Sequence, residues 1–363
     1  MAVRIVATIG GMPAATFPIS GHGVAPARRG DFLLVACQGG AEAALATRQA
    51  AAVPGMRKAA WRRGVVTFRL DPGVDPPDEF FPPDLVFGRA CTRSLGQVTG
   101  GDAAALATAA VDLAGPAAWH NVHVWNRVAS VAEPIDDIRG RLLSAVGLGG
   151  VPDVARPGDL VLDIVVDAAN RWWVGWHRAA TPPSCWPGGL YPGTLPAGKV
   201  SRAWLKLDEA IATFGIPLEP GQRAVEFGAA PGGACQRLLE AGLRVVAVDP
   251  ALVDPVVAAH PHFEQWRMRA RDVKLKMFRG VDWLVCDMNI DPKSTLESID
   301  RVMAAPGAGP RGIVATLKIP DWTRAAELPS WLGAFTAWGY RPTARQLSTG
   351  GREVCVVALR TKK

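Results

Sequence analysis

The chain has 363 residues, 49% of them hydrophobic and 20% charged, with a formal net charge of +7. That length allows two or three domains with packed cores, and the composition is that of a folded chain rather than a disordered one. No apolar run reaches the roughly 18 residues of a membrane span. Gly10, Gly11 and Pro13 interrupt the short apolar stretch behind Arg4, which argues against a signal peptide. The six cysteines, at 37, 91, 185, 235, 286 and 355, form no C-x-x-C pair and have no histidines at ligand spacing. Reduced thiols, no structural zinc and a cytoplasmic location are therefore expected. The excess positive charge permits a polyanionic partner such as RNA without establishing one.

In chain order, residues 1–30 are rich in Gly, Pro and Ala, with one expected strand over 3–9 and no assigned role. A strand over 31–37, a turn at Gly39-Gly40, an alanine-rich helix over 41–52 and an alternating strand over 64–70 form an α+β unit over 31–84. The proline-dense stretch 71–83 closes it. A second unit over 85–180 has helices near 103–113 and 137–146 and strands over 120–125, 160–166 and 171–178. His120, His123 and His177 sit on these strands without an acidic partner motif, so no metal site is expected. Trp172, Trp173 and Trp176 read as core and edge packing. Residues 181–199, rich in Pro and Gly, read as a linker, and the last unit spans 200–363. It opens with a helix that takes Ser201 as N-cap and turns Trp204, Leu205, Leu207 and Ile211 inward.

Basic residues cluster around aromatics twice. Arg57, Lys58, Arg62 and Arg63 surround Trp61, and Arg267, Arg269, Arg271, Lys274, Lys276 and Arg279 adjoin Trp266 and Phe278. Such clusters can hold phosphates and stack bases; a solvated helix face is the alternative for each.

The stretch that organises the last unit is Val225-Glu226-Phe227-Gly228-Ala229-Ala230-Pro231-Gly232-Gly233. It reads as strand, tight loop and helix, and a second strand over 244–248 ends in Asp249. An acid about twenty residues after a glycine loop suits two ribose hydroxyls. The spacing Gly228-x-x-x-Gly232-Gly233 is not the dinucleotide fingerprint, and Pro231 removes a backbone donor that a pyrophosphate would use. A cofactor with a ribose and no phosphate fits better, with S-adenosylmethionine as the candidate.

Further strands end in chemistry. Residues 281–287 finish at Asp287, 311–318 finish at Lys318, and 353–359 begin at Glu353. Ligands bind outside the carboxyl ends of parallel strands, so Asp287 and Lys318 fall at the edge occupied by Gly228 and Asp249. An antiparallel last strand brings Glu353 there as well.

This set resembles the FtsJ-like ribose 2′-O-methyltransferases, whose Lys-Asp-Lys-Glu tetrad matches Lys206, Asp287, Lys318 and Glu353 in family order. The run Ser184-Cys185-Trp186-Pro187-Gly188-Gly189-Leu190, leading into Ser201-Arg202 and Leu205-Lys206-Leu207, is similar to the RlmM type that methylates a cytidine of bacterial 23S ribosomal RNA. The resemblance implies an α/β fold: a doubly wound, Rossmann-like methyltransferase sheet with its last strand antiparallel, preceded by smaller α+β RNA-binding domains, ferredoxin-like over 31–84 and THUMP-like over 85–180. It also implies S-adenosylmethionine as cofactor, lined by Ser201, Gly228, Ala230, Pro231, Gly232, Gly233, Asp249, Asp272 and Asp287. Glu226 replaces the aspartate usual in the first motif.

In this reading Lys318 is the general base, Lys206 and Glu353 orient the hydroxyl, and Asp287 positions the lysine. A lysine with an ordinary pKa of ~10.4 is mostly protonated at neutral pH, so the base needs help from burial and a neighbouring cation. The alternatives are the same chemistry on transfer RNA, or a non-catalytic RNA-binding or ribosome assembly factor that kept the fold.

Overall fold

The computed structural model describes residue 26 and residues 30–52, 54–74 and 85–361. The strand expected over 3–9, most of the 1–30 extension and most of the 71–83 stretch lie outside the described residues.

The first half builds β1 (Phe32–Cys37), α1 (Glu42–Ala52), β2 (Met56–Arg62), β3 (Val65–Leu70), β4 (Gly88–Thr99), α2 (Ala103–Ala114), β5 (Asn121–Asn126), α3 (Ile135–Ala145), β6 (Leu160–Ala168) and β7 (Arg171–Arg178). Its strands form one seven-stranded sheet in the order β2-β3-β1-β4-β7-β6-β5. β4 pairs with β1 on one side and β7 on the other, so hydrogen bonding runs unbroken across the stretch where the sequence reading separates 31–84 from 85–180. β2 was open to a helix-face reading of its basic residues; it is an edge strand with every residue after Met56 exposed.

β6 shows why a near-continuous apolar run can be a strand buried on both faces. Leu160, Leu162, Ile164 and Val166 join Leu106, Ala110, Ile138, Trp172 and Trp176 under α2 and α3. Successive side chains point to opposite faces, so Val161, Asp163, Val165 and Asp167 line the other face, where both acids are buried. Asp167 takes three guanidinium contacts there, from Arg62, Arg127 and Arg171. The stretch expected to be a linker also packs: Ser184, Cys185 and Trp186 are buried, and Cys185 and Trp186 cluster with Val161 and Ala179.

The second half adds α4 (Ala203–Phe214), β8 (Arg223–Phe227), α5 (Gly233–Glu240), β9 (Arg244–Val248), α6 (Pro255–Ala258), β10 (Phe263–Trp266), β11 (Trp283–Cys286), α7 (Pro292–Met303), β12 (Gly312–Lys318), α8 (Leu328–Ala337), β13 (Tyr340–Arg345) and β14 (Glu353–Arg360). The sheet order is β10-β9-β8-β11-β12-β14-β13. β8 pairs in parallel with β9 and with β11, which makes the β8/β11 boundary the point where strand order reverses and a crevice opens. β14 runs antiparallel to β12, with Lys318 directly opposite Glu353. The sequence reading of an α/β doubly wound sheet with an antiparallel last strand therefore holds. All six cysteines are buried thiols without a disulfide.

Candidate active site

Four elements bring the tetrad together. Lys206 projects from α4, Asp287 follows β11, Lys318 ends β12 and Glu353 begins β14. Lys206 Nζ donates to Asp287 Oδ2 at 2.6 Å and to Glu353 Oε1 at 3.0 Å. Lys318 Nζ donates to Asp287 Oδ1 at 3.1 Å and to Glu353 Oε2 at 2.5 Å. Each lysine thus bridges both acids, and the four side chains close a ring of formally zero net charge. All four side chains are partly shielded, with side-chain exposures of 11–22%. Charge-assisted hydrogen bonds are strongest in such surroundings.

The ring's electrostatics follow from that geometry. Burial alone would raise the Asp287 carboxyl, but Lys206 and Lys318 outweigh it and hold it below its ordinary value. Burial alone would lower the Lys206 ammonium, but Asp287 and Glu353 outweigh it and hold it above. Glu226, one strand position before Phe227 and Gly228, sits outside this compensation. It is fully buried, and one of its carboxylate oxygens has no hydrogen-bond partner. Burial, followed by the charges of Asp287 and Asp249 against a bond from Cys235, pushes its carboxyl up to about 8.

Beside the ring lies an open cavity of about 550 Å³, lined among others by Gly228, Asp249, Arg269, Arg271, Met288 and Arg301. Gly228 has φ of 75° and passes so close to the next strand that a Cβ would meet Asp287 O and Met288 Cα at 2.8 Å. Only glycine allows that approach. Asp249 accepts from Ala230 N at 3.1 Å and from Ala251 N at 2.8 Å through separate oxygens, and each oxygen keeps a lone pair for a ligand hydroxyl. The donor set and the glycine cradle fit a ribose-bearing cofactor.

The remaining cofactor candidates divide. Gly232 heads α5 with φ of 109°. Gly233 packs against Ser201, whose hydroxyl a Cβ would meet at 2.1 Å; Ser201, Ala230, Pro231, Gly232 and Gly233 are not among the residues that line the cavity, whereas Gly228 and Asp249 are. Ser201 is not the cap residue expected: α4 starts at Ala203, with Arg202 at the cap position. Ser201 instead accepts from Ala203 N through its hydroxyl at 3.3 Å and from Trp204 N through its carbonyl at 3.2 Å. Asp272 is not brought in. It ends a 3-10 turn with its side chain 58% exposed, facing Arg271, while Arg269, Ala270 and Arg271 line the cavity.

One residue that sequence reasoning missed is Glu209, on α4 one turn after Lys206 and 3% exposed. Its two oxygens accept four hydrogen bonds, from the backbone and hydroxyl of Ser348 and of Thr349, at 2.7–2.9 Å. It thereby fastens the loop that leads into Glu353. The same segment is tied to the first sheet: Gln346 N donates to Val86 O at 2.7 Å and Arg345 Nη2 donates to Arg89 O at 2.8 Å. The visible signal was an acid on the inward face of an amphipathic helix.

The basic clusters also separate. Trp61 is 58% exposed among its basic neighbours, whereas Trp266 and Phe278 are core residues beneath an exposed basic surface. Trp172, Trp173 and Trp176 are buried, as expected. No described helix is long and apolar enough to cross a membrane.

Residues 199–310 match the FtsJ-like methyltransferase family. The Ribosomal RNA large subunit methyltransferase M of Halorhodospira halophila (strain DSM 244 / SL1) is 29% identical over 342 residues, covering 89% of this chain and 95% of that one. Proteins of the same name from Laribacter hongkongensis (28% over 282 residues, 74% of this chain and 75% of that one) and Methylococcus capsulatus (38% over 152 residues, 39% and 41%) are also similar. The unit over 199–310 is an FtsJ-like methyltransferase domain, and the chain is a methyltransferase.

Proposed function

We propose that this chain transfers a methyl group from S-adenosylmethionine to a ribose 2′-hydroxyl of RNA, with a cytidine of 23S ribosomal RNA as the favoured target. The observation that carries the reading is the closed ring of Lys206, Asp287, Lys318 and Glu353 beside the cavity of Gly228 and Asp249. The names of the similar proteins favour ribosomal RNA, and the exposed basic surface suits a polyanion.

When bound, the cofactor supplies a methyl group on a positively charged sulfur. Asp249 would take its ribose hydroxyls, and Gly228 would let it lie against the strand ends. Lys318 accepts the proton of the target hydroxyl at Nζ. Proton acceptance requires the neutral amine at Lys318, whereas Lys206 is held protonated by both acids and so is the cation of the ring rather than its base. Asp287 and Glu353 fix both lysines and so fix where the hydroxyl oxygen sits. Positioning of this kind can supply roughly 7–11 kcal/mol, against ~10²–10⁴-fold for general-base help, so the ring's rigidity contributes more than its basicity. The described basic edge strand and the first sheet are proposed to hold the RNA, as ferredoxin-like and THUMP-like units would, and the reaction is assigned to the cytoplasm.

The test is transfer of labelled methyl from S-adenosylmethionine to total RNA by wild type and Lys318→Ala, followed by nuclease digestion and nucleoside analysis. A 2′-O-methylated cytidine in the 23S fraction, made only by wild type, is the expected result. Label in transfer RNA would move the substrate. Clear cofactor binding with no transfer to free RNA or to immature ribosomal particles would leave a binding role instead.

A further inference from the structure

We propose that His123, Asp163 and His177 bind one divalent transition-metal ion of the zinc class inside the first sheet. The three residues come from adjacent strands. His123 on β5 lies directly opposite Asp163 on β6, and Asp163 lies opposite Gly175, two residues before His177 on β7. Opposed residues share a face of the sheet, so the three side chains converge on the face away from α2 and α3. One donor atom from each lies within 4.8 Å of the other two.

The hydrogen bonding is incomplete in a way that an ion resolves. His123 and Asp163 are 0% and 1% exposed, yet both ring nitrogens of His123 and Oδ1 of Asp163 have no hydrogen-bond partner. Buried polar atoms are rarely left so. His177 Nε2 lies 2.8 Å from Ser184 O, and its Nδ1 lies 2.6 Å from Asp163 Oδ2. Without an ion both ring nitrogens donate, Nδ1–H to Asp163 and Nε2–H to the carbonyl; an ion that takes Nδ1 displaces its proton and leaves Nε2 donating to the backbone carbonyl, the arrangement usual behind a metal-bound histidine. A bare ion pair of Asp163 with doubly protonated His177 would satisfy Oδ2 and leave His123 and Oδ1 unpartnered.

Size and donor type agree. The three side chains, with Ser184, Trp186 and Gly188, line a small cavity suited to a species about the size of one water. Two imidazoles and a carboxylate favour zinc, cobalt or nickel over magnesium and calcium, which prefer oxygen. Zinc bonds of ~2.0–2.2 Å place tetrahedral donors roughly 3.3 Å apart, so the 4.0 Å between His123 Nδ1 and Asp163 Oδ1 must close and the 2.6 Å between His177 Nδ1 and Asp163 Oδ2 must open, each by less than 1 Å. The ion would staple β5, β6 and β7 to the turn at Pro182–Cys185, a structural role separate from methyl transfer.

Full-length protein, stripped with a chelator, is titrated with Zn²⁺ by calorimetry and with Co²⁺ by visible absorption, and its melting is followed with and without Zn²⁺. One equivalent bound, ligand-field bands from Co²⁺ and a Zn²⁺-dependent rise in Tm are expected. His123→Phe keeps a planar ring and removes both nitrogens, and Asp163→Asn removes the charge. Each should weaken binding by more than the ~10–100-fold that loss of an outer partner costs, and each should lose the Tm rise. A wild type that binds less than one equivalent, or binding that persists in both variants, overturns the site. Should one variant fail to fold, the wild-type titration and the other variant decide.

Discussion

In the second sheet Asp287 and Glu353 each face both lysines of the tetrad, whereas in the first sheet Asp163 faces His177 at 2.6 Å and His123 only at 4.0 Å. Both clusters draw on neighbouring strands, the ring with Lys206 added from α4, and both take an acid out of bulk water. The difference lies in what completes them. The lysine ring is closed by its own four side chains and stands partly open at the strand ends, where a hydroxyl can enter. The histidine cluster is deep in the sheet and leaves polar atoms unpartnered, a pattern that calls for an ion rather than a substrate. A polar cluster that is complete and accessible suits chemistry; one that is incomplete and buried suits a staple.

The largest effect should come from breaking the ring without breaking its charge. Lys318→Arg keeps a cation between Asp287 and Glu353, but a guanidinium cannot accept the hydroxyl proton. Methyl transfer should fall by about 10²–10⁴-fold, with S-adenosylmethionine affinity changed only a few-fold by calorimetry. Activity retained in this variant would make Lys318 a spacer and not a base.

Next in size is Glu226, the acid of the second sheet with no lysine to complete it. Its carboxyl is raised from 4.5 to about 8, so the folded chain holds a proton that the unfolded chain releases. The stability this contributes is fully present below about pH 4.5 and is lost as pH rises through about 8. Each unit of that rise corresponds to about 1.4 kcal/mol. Glu226→Gln should flatten the decline in denaturant stability between pH 5 and pH 8 and gain on wild type toward the alkaline end. Parallel pH profiles for the two proteins would show that Glu226 is ionised and partnered.

How much of this could be read from the sequence depends on how local the signal was. Asp249, Asp287 and Lys318 end apolar runs, and a parallel strand sends its last residue to the ligand edge, so their convergence followed once the strands were recognised. Glu353 needed the further assumption of an antiparallel strand, which its register opposite Lys318 bears out. β4 was missed because Gly-Arg-Ala-Cys-Thr-Arg-Ser-Leu-Gly-Gln-Val-Thr lacks an apolar alternation; β1 and β7 define it by pairing on both sides. β13 carries Pro342, which discourages a strand reading except at an edge, and it is at an edge. No acid stands near the histidines in sequence, because Asp163 is supplied by the neighbouring strand rather than by the next residues.

A smaller effect tests how the ring is held. Glu209→Ala removes the acceptor for four hydrogen bonds from Ser348 and Thr349, so the start of β14 loses its anchor while no tetrad residue changes. A shift of about 1 Å at a reacting group can cost 10²-fold. A fall in kcat of about that size is expected, with KM for S-adenosylmethionine little altered, because Glu209 lies away from the Asp249 cavity. A fall in melting temperature with kcat preserved would give Glu209 a purely structural part.

The smallest effect separates the two basic surfaces. At the second, Trp266 and Phe278 are committed to the core, so only charge is available to RNA; at β2, Trp61 offers an exposed ring beside Lys58. Arg57 is already paired with Asp71 and Arg62 with Asp167, which leaves Lys58 and Trp61 the better placed of the strand's side chains to meet a nucleic acid. Trp61→Ala should then weaken RNA binding by about 1–3 kcal/mol at fixed salt, without altering the slope of log K against log salt. Lys58→Ala should do the reverse, lowering that slope by about one. Equal responses of both variants in the slope would mean that the ring does not stack, because stacking on a neutral aromatic releases no counterion.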